Sequence, residues 1–107
     1  MQDRIIGPSE SARMVETIVG CKWSLTVYQL LAQNINRPGE MVRSVDGLTT
    51  KVINQCLKRN VEFGILKKVV YPESPPRVEY EVTSFGAKFM TILDALKELQ
   101  DEIQRAE

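Results

Sequence analysis

The sequence contains no histidine. Histidine is the commonest general acid or base in enzymes and the commonest protein ligand of metal ions, so its absence argues against most hydrolases, transferases and metal sites. The six glycines are scattered singly, so the chain has neither a phosphate-binding P-loop nor a dinucleotide fingerprint. We therefore expect a protein that is not an enzyme and that holds neither a metal nor a cofactor.

Cysteine is also scarce, and long apolar runs are missing. The two cysteines, Cys21 and Cys56, fall in predicted helices without Cys-x-x-Cys spacing, which gives no support for a disulfide framework or a zinc site. No run approaches the roughly 20 apolar residues of a membrane span, and the first residues lack the apolar region of a signal peptide. We expect a cytoplasmic protein with no membrane partner.

What the chain does contain suits one compact domain over residues 1–107, since 43% of it is apolar and 26% is charged. Its 14 basic and 14 acidic residues cancel, but they are unevenly distributed. Residues 37–88 hold nine basic and six acidic residues, whereas residues 89–107 hold two and five. Because binding to nucleic acid depends on the local field, a neutral total does not exclude it.

Hydrophobic periodicity predicts an α+β chain that is mainly helical. Two helices lie within residues 9–33, and a helix-turn-helix follows over 40–62, with its second helix at about 49–62. Two strands within 65–82 form a hairpin around the proline-rich segment 72–76, which we expect to project as a loop. A long helix over 83–104 completes the chain.

The helix at 49–62 carries the most informative pattern. Thr49 is a good N-cap, and an apolar stripe that includes Val52 and Leu57 recurs at helical spacing. The opposite face offers cations and amides, and residues 49–60 contain no acid. Asn and Gln can bond adenine edges in the major groove, and Lys can reach guanine or phosphate. The hairpin offers three further cations. The candidate DNA-binding residues are therefore Thr49, Thr50, Lys51, Asn54, Gln55, Lys58, Lys67, Lys68 and Arg77.

The last helix carries an apolar seam. Phe85, Phe89, Ile92, Leu96, Leu99 and Ile103 are spaced 4, 3, 4, 3 and 4 residues apart, as in a heptad repeat. A helix of about 20 residues is roughly 30 Å long, so its distal part needs a partner. The helix could fold back on its own chain, but a second copy covers the seam more simply. The predicted dimer interface comprises Val15, Ile18, Phe89, Ile92, Leu96, Leu99 and Ile103.

Four short motifs resemble those of the HxlR group of regulators. Residues 18–23 (IVGCKW) are similar to the group's I-G-G-K-W, and residues 70–80 (VYPESPPRVEY) to its Y-P-x-x-P-P-x-V-x-Y wing. Residues 47–53 resemble the start of its recognition helix, and residues 83–86 its T-x-x-G. The resemblance covers about residues 10 to 104. It implies a MarR-like winged helix-turn-helix with a two-stranded wing, dimerisation through the first and last helices, and control of prokaryotic transcription, repression being favoured over activation.

The chain also departs from the group. Members that respond to oxidants carry a cysteine just before the first helix, where this chain has Glu10. Cys21 replaces a glycine, and Lys22 and a helix end beside it would lower its pKa, but an inert buried thiol is the favoured interpretation. Asn60 stands where leucine is usual and Val61 where a charged residue is usual, so the recognition helix is expected to end differently.

The leading hypothesis is a homodimeric regulator that binds a pseudo-palindromic duplex with half-sites about one helical turn apart. The competing hypothesis is a winged-helix module that binds another protein through its terminal helix and acidic tail, which the neutral net charge favours. Any small-molecule effector is left unspecified by the sequence.

Overall fold

The computed structural model describes residues 10–19 and 21–106, which form five helices and one two-stranded sheet. Residue 9, the predicted start of the first helix, lies outside this range. Within it, no helix is both long and apolar enough to cross a membrane. The mainly helical α+β fold is confirmed, with elements α1 Glu10–Val19, α2 Ser24–Ala32, α3 Pro38–Ser44, α4 Thr50–Glu62, β1 Leu66–Tyr71, β2 Arg77–Val82 and α5 Ser84–Ala106.

One hydrophobic core lies where the inner faces of the helices meet the start of β1. Trp23 is half-buried against it at the N-terminal end of α2. Burying large apolar side chains is the main favourable term in folding, so these contacts fix the positions of the helices. The buried side chains that build the core include Ile18, Val27, Leu30, Met41, Leu48, Ile53, Leu57, Ile65, Leu66 and Phe89.

Local backbone chemistry defines the start of α4. Gly47 has a φ of +86°, a conformation that glycine adopts without a steric penalty, and it turns the chain between α3 and α4. Thr49 then caps α4, since its hydroxyl oxygen accepts a hydrogen bond from the Val52 N–H at 3.2 Å. The predicted cap is confirmed, and α4 begins at the next residue.

The hairpin is antiparallel, with Leu66 opposite Val82 and Tyr71 opposite Arg77. All five residues of its proline-rich tip, 72–76, are exposed. Its second strand is also bonded to the segment before α3, because the Tyr80 N–H donates to the Asn36 carbonyl at 2.9 Å. This bond ties the hairpin to the helix-turn-helix.

The first turn of α5 is joined to the chain between α4 and β1. The Thr83 hydroxyl oxygen accepts from the Gly86 N–H at 2.9 Å, and the hydroxyl donates to the Gly64 carbonyl at 2.6 Å. A β-carbon on Gly86 would lie 2.1 Å from the Ile65 carbonyl oxygen, so only glycine permits this approach. The start of α5 is therefore fixed against the domain, which explains the T-x-x-G pattern.

Cys21 does not lie in a helix, contrary to the prediction. It occupies the turn between α1 and α2, where its N–H donates to the Ile18 carbonyl and its own carbonyl accepts from the Ser24 N–H, each at 3.1 Å. The helical periodicity is interrupted here because α1 ends at Val19 and α2 begins only at Ser24.

Candidate nucleic-acid interface

The outward face of α4 presents the predicted polar residues together. The first turn and the two turns after it expose amide, hydroxyl and ammonium groups, and the opposite face buries Ile53, Cys56 and Leu57 in the core. The face is therefore fixed by packing on its other side. Its exposed members are Thr49, Thr50, Lys51, Asn54, Gln55 and Lys58.

Sequence reasoning missed one cation of this helix. Arg59 is exposed in the last turn of α4 and follows Gln55 by four residues, so it lies one turn further along the same side. The i,i+4 spacing from Gln55 was the signal that could have found it. Arg59 extends the cationic side of α4. No acidic residue occurs on this helix before Glu62.

The hairpin brings one of its two predicted lysines beside α4. Lys67 and Lys68 are both exposed on β1, and consecutive strand residues point to opposite faces of a sheet. Lys68 shares a shallow depression with Asn54 and Lys58 of α4, and Glu62 lies at the same depression. Lys68 thus extends the polar face of α4 onto the sheet.

Arg77 is held inside the hairpin, unlike the lysines. Its guanidinium stacks 4.0 Å from the centre of the Tyr71 ring and forms ion pairs with Glu73 at 3.2 Å and Glu79 at 3.6 Å. Glu79 also meets Arg37 at 3.4 Å. Within the described part of the chain, the buried Arg77 Nε has no hydrogen-bond partner. The positive charge of Arg77 is therefore largely neutralised by the chain itself.

The distal seam of α5 is exposed. Ile92, Leu96, Leu99 and Ile103 keep 51–59% of their accessible surface, and Val15 of α1 keeps 38%. A contiguous apolar strip of this kind on a single chain is typical of an interaction surface.

Two members of the predicted interface lie elsewhere. Ile18 is 0% exposed and Phe89 is 3% exposed, so both belong to the chain's own core. The heptad pattern could not separate Phe89 from the distal seam, because it does not show which turn of α5 packs on the domain. Ile18 lies on α1 and packs into the same core.

One exposed apolar residue near the seam was not predicted. Leu25 of α2 is 59% exposed and lines a groove of about 440 Å³ between α2 and α5. Met90 and Leu93 of α5 line the same groove. Leu25 falls one residue after the buried Ser24, off the apolar stripe of α2, so the helical pattern gave no reason to select it.

A polar network crosses the core between α2 and α4. The Tyr28 hydroxyl donates to the side-chain oxygen of the buried Asn60, and the Asn60 amide donates to the Cys56 carbonyl at 2.8 Å. Burial raises the pKa of Tyr28 above its ordinary value. This pairing explains the asparagine at a position where leucine was expected, because a buried amide must be hydrogen-bonded.

Four helices followed by a hairpin and a last long helix, with the turn between α3 and α4 leading into a helix that has no acid before Glu62, define a winged helix-turn-helix protein. The family model described as HxlR-like helix-turn-helix matches residues 18–107. The chain belongs to this family, as the motifs predicted.

Known proteins resemble the chain in sequence and in fold. The HTH-type transcriptional regulator sll1512 of Synechocystis is 36% identical over 73% of this chain, and the match spans 58% of that protein. The regulatory protein MalR of Fusobacterium mortiferum is 35% identical over 75% of this chain and 76% of its own length. A transcriptional regulator of the MarR family from Enterococcus faecalis V583 superposes with a TM-score of 0.77, with 26% identity and coverage of 96% of each chain.

Proposed function

We propose that the chain is a transcriptional regulator that binds double-stranded DNA as a homodimer, with α4 in the major groove. The observation that carries this proposal is the outward face of α4, where exposed lysines and amides stand together and no acid occurs between Thr49 and Asn60. A face that only served solubility would mix both signs of charge. The family membership supports the same function.

Each part of this face has a distinct role in the proposal. The start of α4 offers free amides and the Thr50 hydroxyl to a phosphate, because a helix N-terminus attracts anions. Asn54 and Gln55 read base edges, and Lys51 and Lys58 contact phosphate or guanine. Arg59 adds a further phosphate contact at the end of the helix.

The hairpin acts as the wing. Lys68 lies beside α4 and contacts the same DNA segment, and Lys67 contacts the backbone next to it. Arg77 has a different role from the one predicted for it, because two carboxylates already surround its guanidinium. In the proposal Arg77 stiffens the wing and does not contact DNA.

The dimer forms through the distal seam of α5, where two copies cover each other's apolar strips around a two-fold axis. Val15 and Leu25 extend the contact onto α1 and α2. The two α4 helices then meet half-sites about one helical turn apart. Acting in a prokaryotic cytoplasm at an operator that overlaps a promoter, such a dimer represses transcription.

Fluorescence anisotropy tests the DNA contact. A labelled duplex from upstream of the chain's own gene is titrated against a random duplex at low and moderate salt. We expect the operator to bind more tightly, and both affinities to fall steeply as salt rises because bound cations are released from phosphate. Lys51→Glu combined with Lys58→Glu should abolish binding.

The control is Arg13→Glu combined with Arg105→Glu, which changes the net charge equally at exposed positions outside α4 and the wing. This variant should bind the operator within about threefold of the unmodified chain at moderate salt, where long-range charge effects are screened. A folded dimer that binds neither duplex at low salt would contradict the proposal and favour the protein-binding module instead.

A further inference from the structure

Two polar contacts join the inner faces of α2 and α4 inside the hydrophobic core. The Ser24 hydroxyl oxygen lies 3.5 Å from the Cys56 sulfur, and the Tyr28 hydroxyl donates to the side-chain oxygen of Asn60. On both helices the second contact follows the first by four residues, so the contacts lie about one helical turn apart. These four residues are called the polar bridge below.

The polar bridge is closed to solvent. All four of its residues are buried, and Asn60 is 0% exposed. The Asn60 amide nitrogen also donates to the Cys56 carbonyl at 2.8 Å, so both ends of the amide are bonded. Apart from tyrosine and cysteine, the buried polar residues in the described part of the chain are Ser24 and Asn60. The polar groups of the core are therefore concentrated between α2 and α4.

The polar bridge contributes more to orientation than to stability. Taking a hydroxyl and an amide out of water costs free energy that their mutual hydrogen bond largely offsets, whereas apolar residues of similar shape carry no such cost. A hydrogen bond is directional and weakens steeply when its donor and acceptor turn away from each other. Apolar cores tolerate several packings, so a buried polar pair favours one of them.

Asn60 joins three elements at one point. Its side chain is bonded to Tyr28 of α2, and its backbone carbonyl accepts a hydrogen bond from the Ile65 N–H at 2.9 Å. Ile65 immediately precedes β1, the strand that carries Lys68. The same residue therefore sets both α4 and the first strand of the hairpin relative to α2.

The rotation of α4 about its axis decides where its exposed side chains lie. Asn54 and Gln55 are exposed, whereas Cys56 and Asn60 are buried against α2. With a radius of about 5–6 Å to the side-chain surface, a rotation of about 20° moves that surface by about 2 Å. A hydrogen bond to a base edge is lost by such a shift, because its length varies by only about 0.5 Å.

We infer that Tyr28 and Asn60 are positioning residues for operator recognition. Their hydrogen bond fixes the rotation of α4 and so places Asn54 and Gln55 on the base edges, although neither positioning residue touches DNA. The inference rests on the proposed DNA binding for its consequence. The orientation of α4 itself is a property of the free chain and is measurable without DNA.

The double variant Tyr28→Phe with Asn60→Leu tests the orientation. It removes donor and acceptor together, so neither is left unpaired in the core, and its midpoint of urea unfolding should equal or exceed that of the original chain. Residual dipolar couplings of the isotope-labelled chain without DNA should change for α4 relative to α2, because α4 is rotated or averages over several rotations. Leu57→Met, a core substitution of α4 outside the polar bridge, should leave the couplings unchanged.

Fluorescence anisotropy tests the consequence for recognition. In the double variant, the ratio of operator affinity to random-duplex affinity should fall at least about tenfold, which is the discrimination that one good base contact supplies. Binding of the random duplex should stay within about threefold, because phosphate contacts carry no sequence information. Leu57→Met should keep the original ratio. Tyr28→Phe alone keeps the ring in the core and gives the same comparisons if the double variant does not fold.

Three outcomes would overturn the inference. They are unchanged couplings of α4 in the folded variant, an affinity ratio within about threefold of the original, or an equal loss of the ratio in Leu57→Met. If the original chain does not bind DNA, the proposed function fails. The couplings still decide in that case whether the hydrogen bond between Tyr28 and Asn60 fixes α4.

Discussion

Helices α4 and α5 both bury one side in the same core, yet they expose opposite kinds of surface. The outer face of α4 is polar and cationic and has no acid before Glu62. The outer face of the distal α5 is apolar, with Leu99 57% exposed, and the residues around it are mainly acidic. Neither the outer face of α4 nor that of the distal α5 contributes buried side chains to the core. In the proposed function, DNA contact and self-association therefore fall on different helices.

The largest expected effect comes from a charge on the α5 seam. Leu96→Asp should dissociate the dimer, because the symmetric interface loses the burial of two leucines, one from each copy. At about 1.5–3 kcal/mol for each leucine, the dissociation constant should rise at least about a hundredfold. Analytical ultracentrifugation over a range of concentrations measures it.

Thr91→Asp is the matched control, since it adds the same charge to an exposed position of α5 that lies off the seam. It should leave the dimer unchanged. If both variants dissociate the dimer equally, the general charge of α5 and not its seam controls association.

The second effect concerns the joint between the two helices. Gly86→Ala places a β-carbon 2.1 Å from the Ile65 carbonyl oxygen, just after α4. The backbones must separate, and we expect a loss of about 3 kcal/mol in the free energy of unfolding, measured in urea at fixed protein concentration. Gly39→Ala in α3 meets only the flexible end of Arg43, at 3.4 Å, and should be neutral or stabilising by about 0.5 kcal/mol. Equal stabilities for both variants would contradict the close approach.

A third prediction tests whether the α4 face serves recognition alone. Asn54→Ala should reduce the discrimination between operator and random duplex by about 2 kcal/mol, and leave the free energy of unfolding within about 0.5 kcal/mol of its original value. Lys68→Ala should weaken the binding of both duplexes alike. Anisotropy and urea denaturation on the same preparations separate the two quantities. A large loss of stability in Asn54→Ala would show that this face also supports the fold.

The smallest effect compares the two threonine caps. Thr49→Ala removes one hydrogen bond at the start of α4 and should reduce stability by about 1 kcal/mol. Thr83→Ala removes the cap of α5 and also the hydroxyl that donates to the Gly64 carbonyl, so we expect about 2 kcal/mol. Thermal unfolding at one concentration ranks them. Equal losses would mean that Thr83 acts as a cap only.

The features that could be predicted are those that local chemistry determines. The Thr49 cap, the exposed amides of α4 and the projecting proline-rich tip all follow from short-range pattern. The T-x-x-G segment was recognisable as a motif, but the reason for its glycine, the Ile65 carbonyl, depends on tertiary contact.

The errors arise where distant segments meet. Ile18 and Phe89 fit the interface pattern, yet the chain's own core covers them. The DNA contact of Arg77 stays a prediction, although Glu79 and Tyr71 already contact its guanidinium.

The one-sided packing of α4 has a consequence for how such regulators diversify. Among the residues described, the side chains of Lys51, Asn54, Gln55 and Lys58 make no hydrogen bond or ion pair that supports the fold. Under the proposed function, substitutions there change which operator is read, and we expect the scaffold to keep its stability. Duplicated copies of the gene could therefore acquire new target sites through a few changes on one helix, and an engineered variant could be made orthogonal to its parent by the same route.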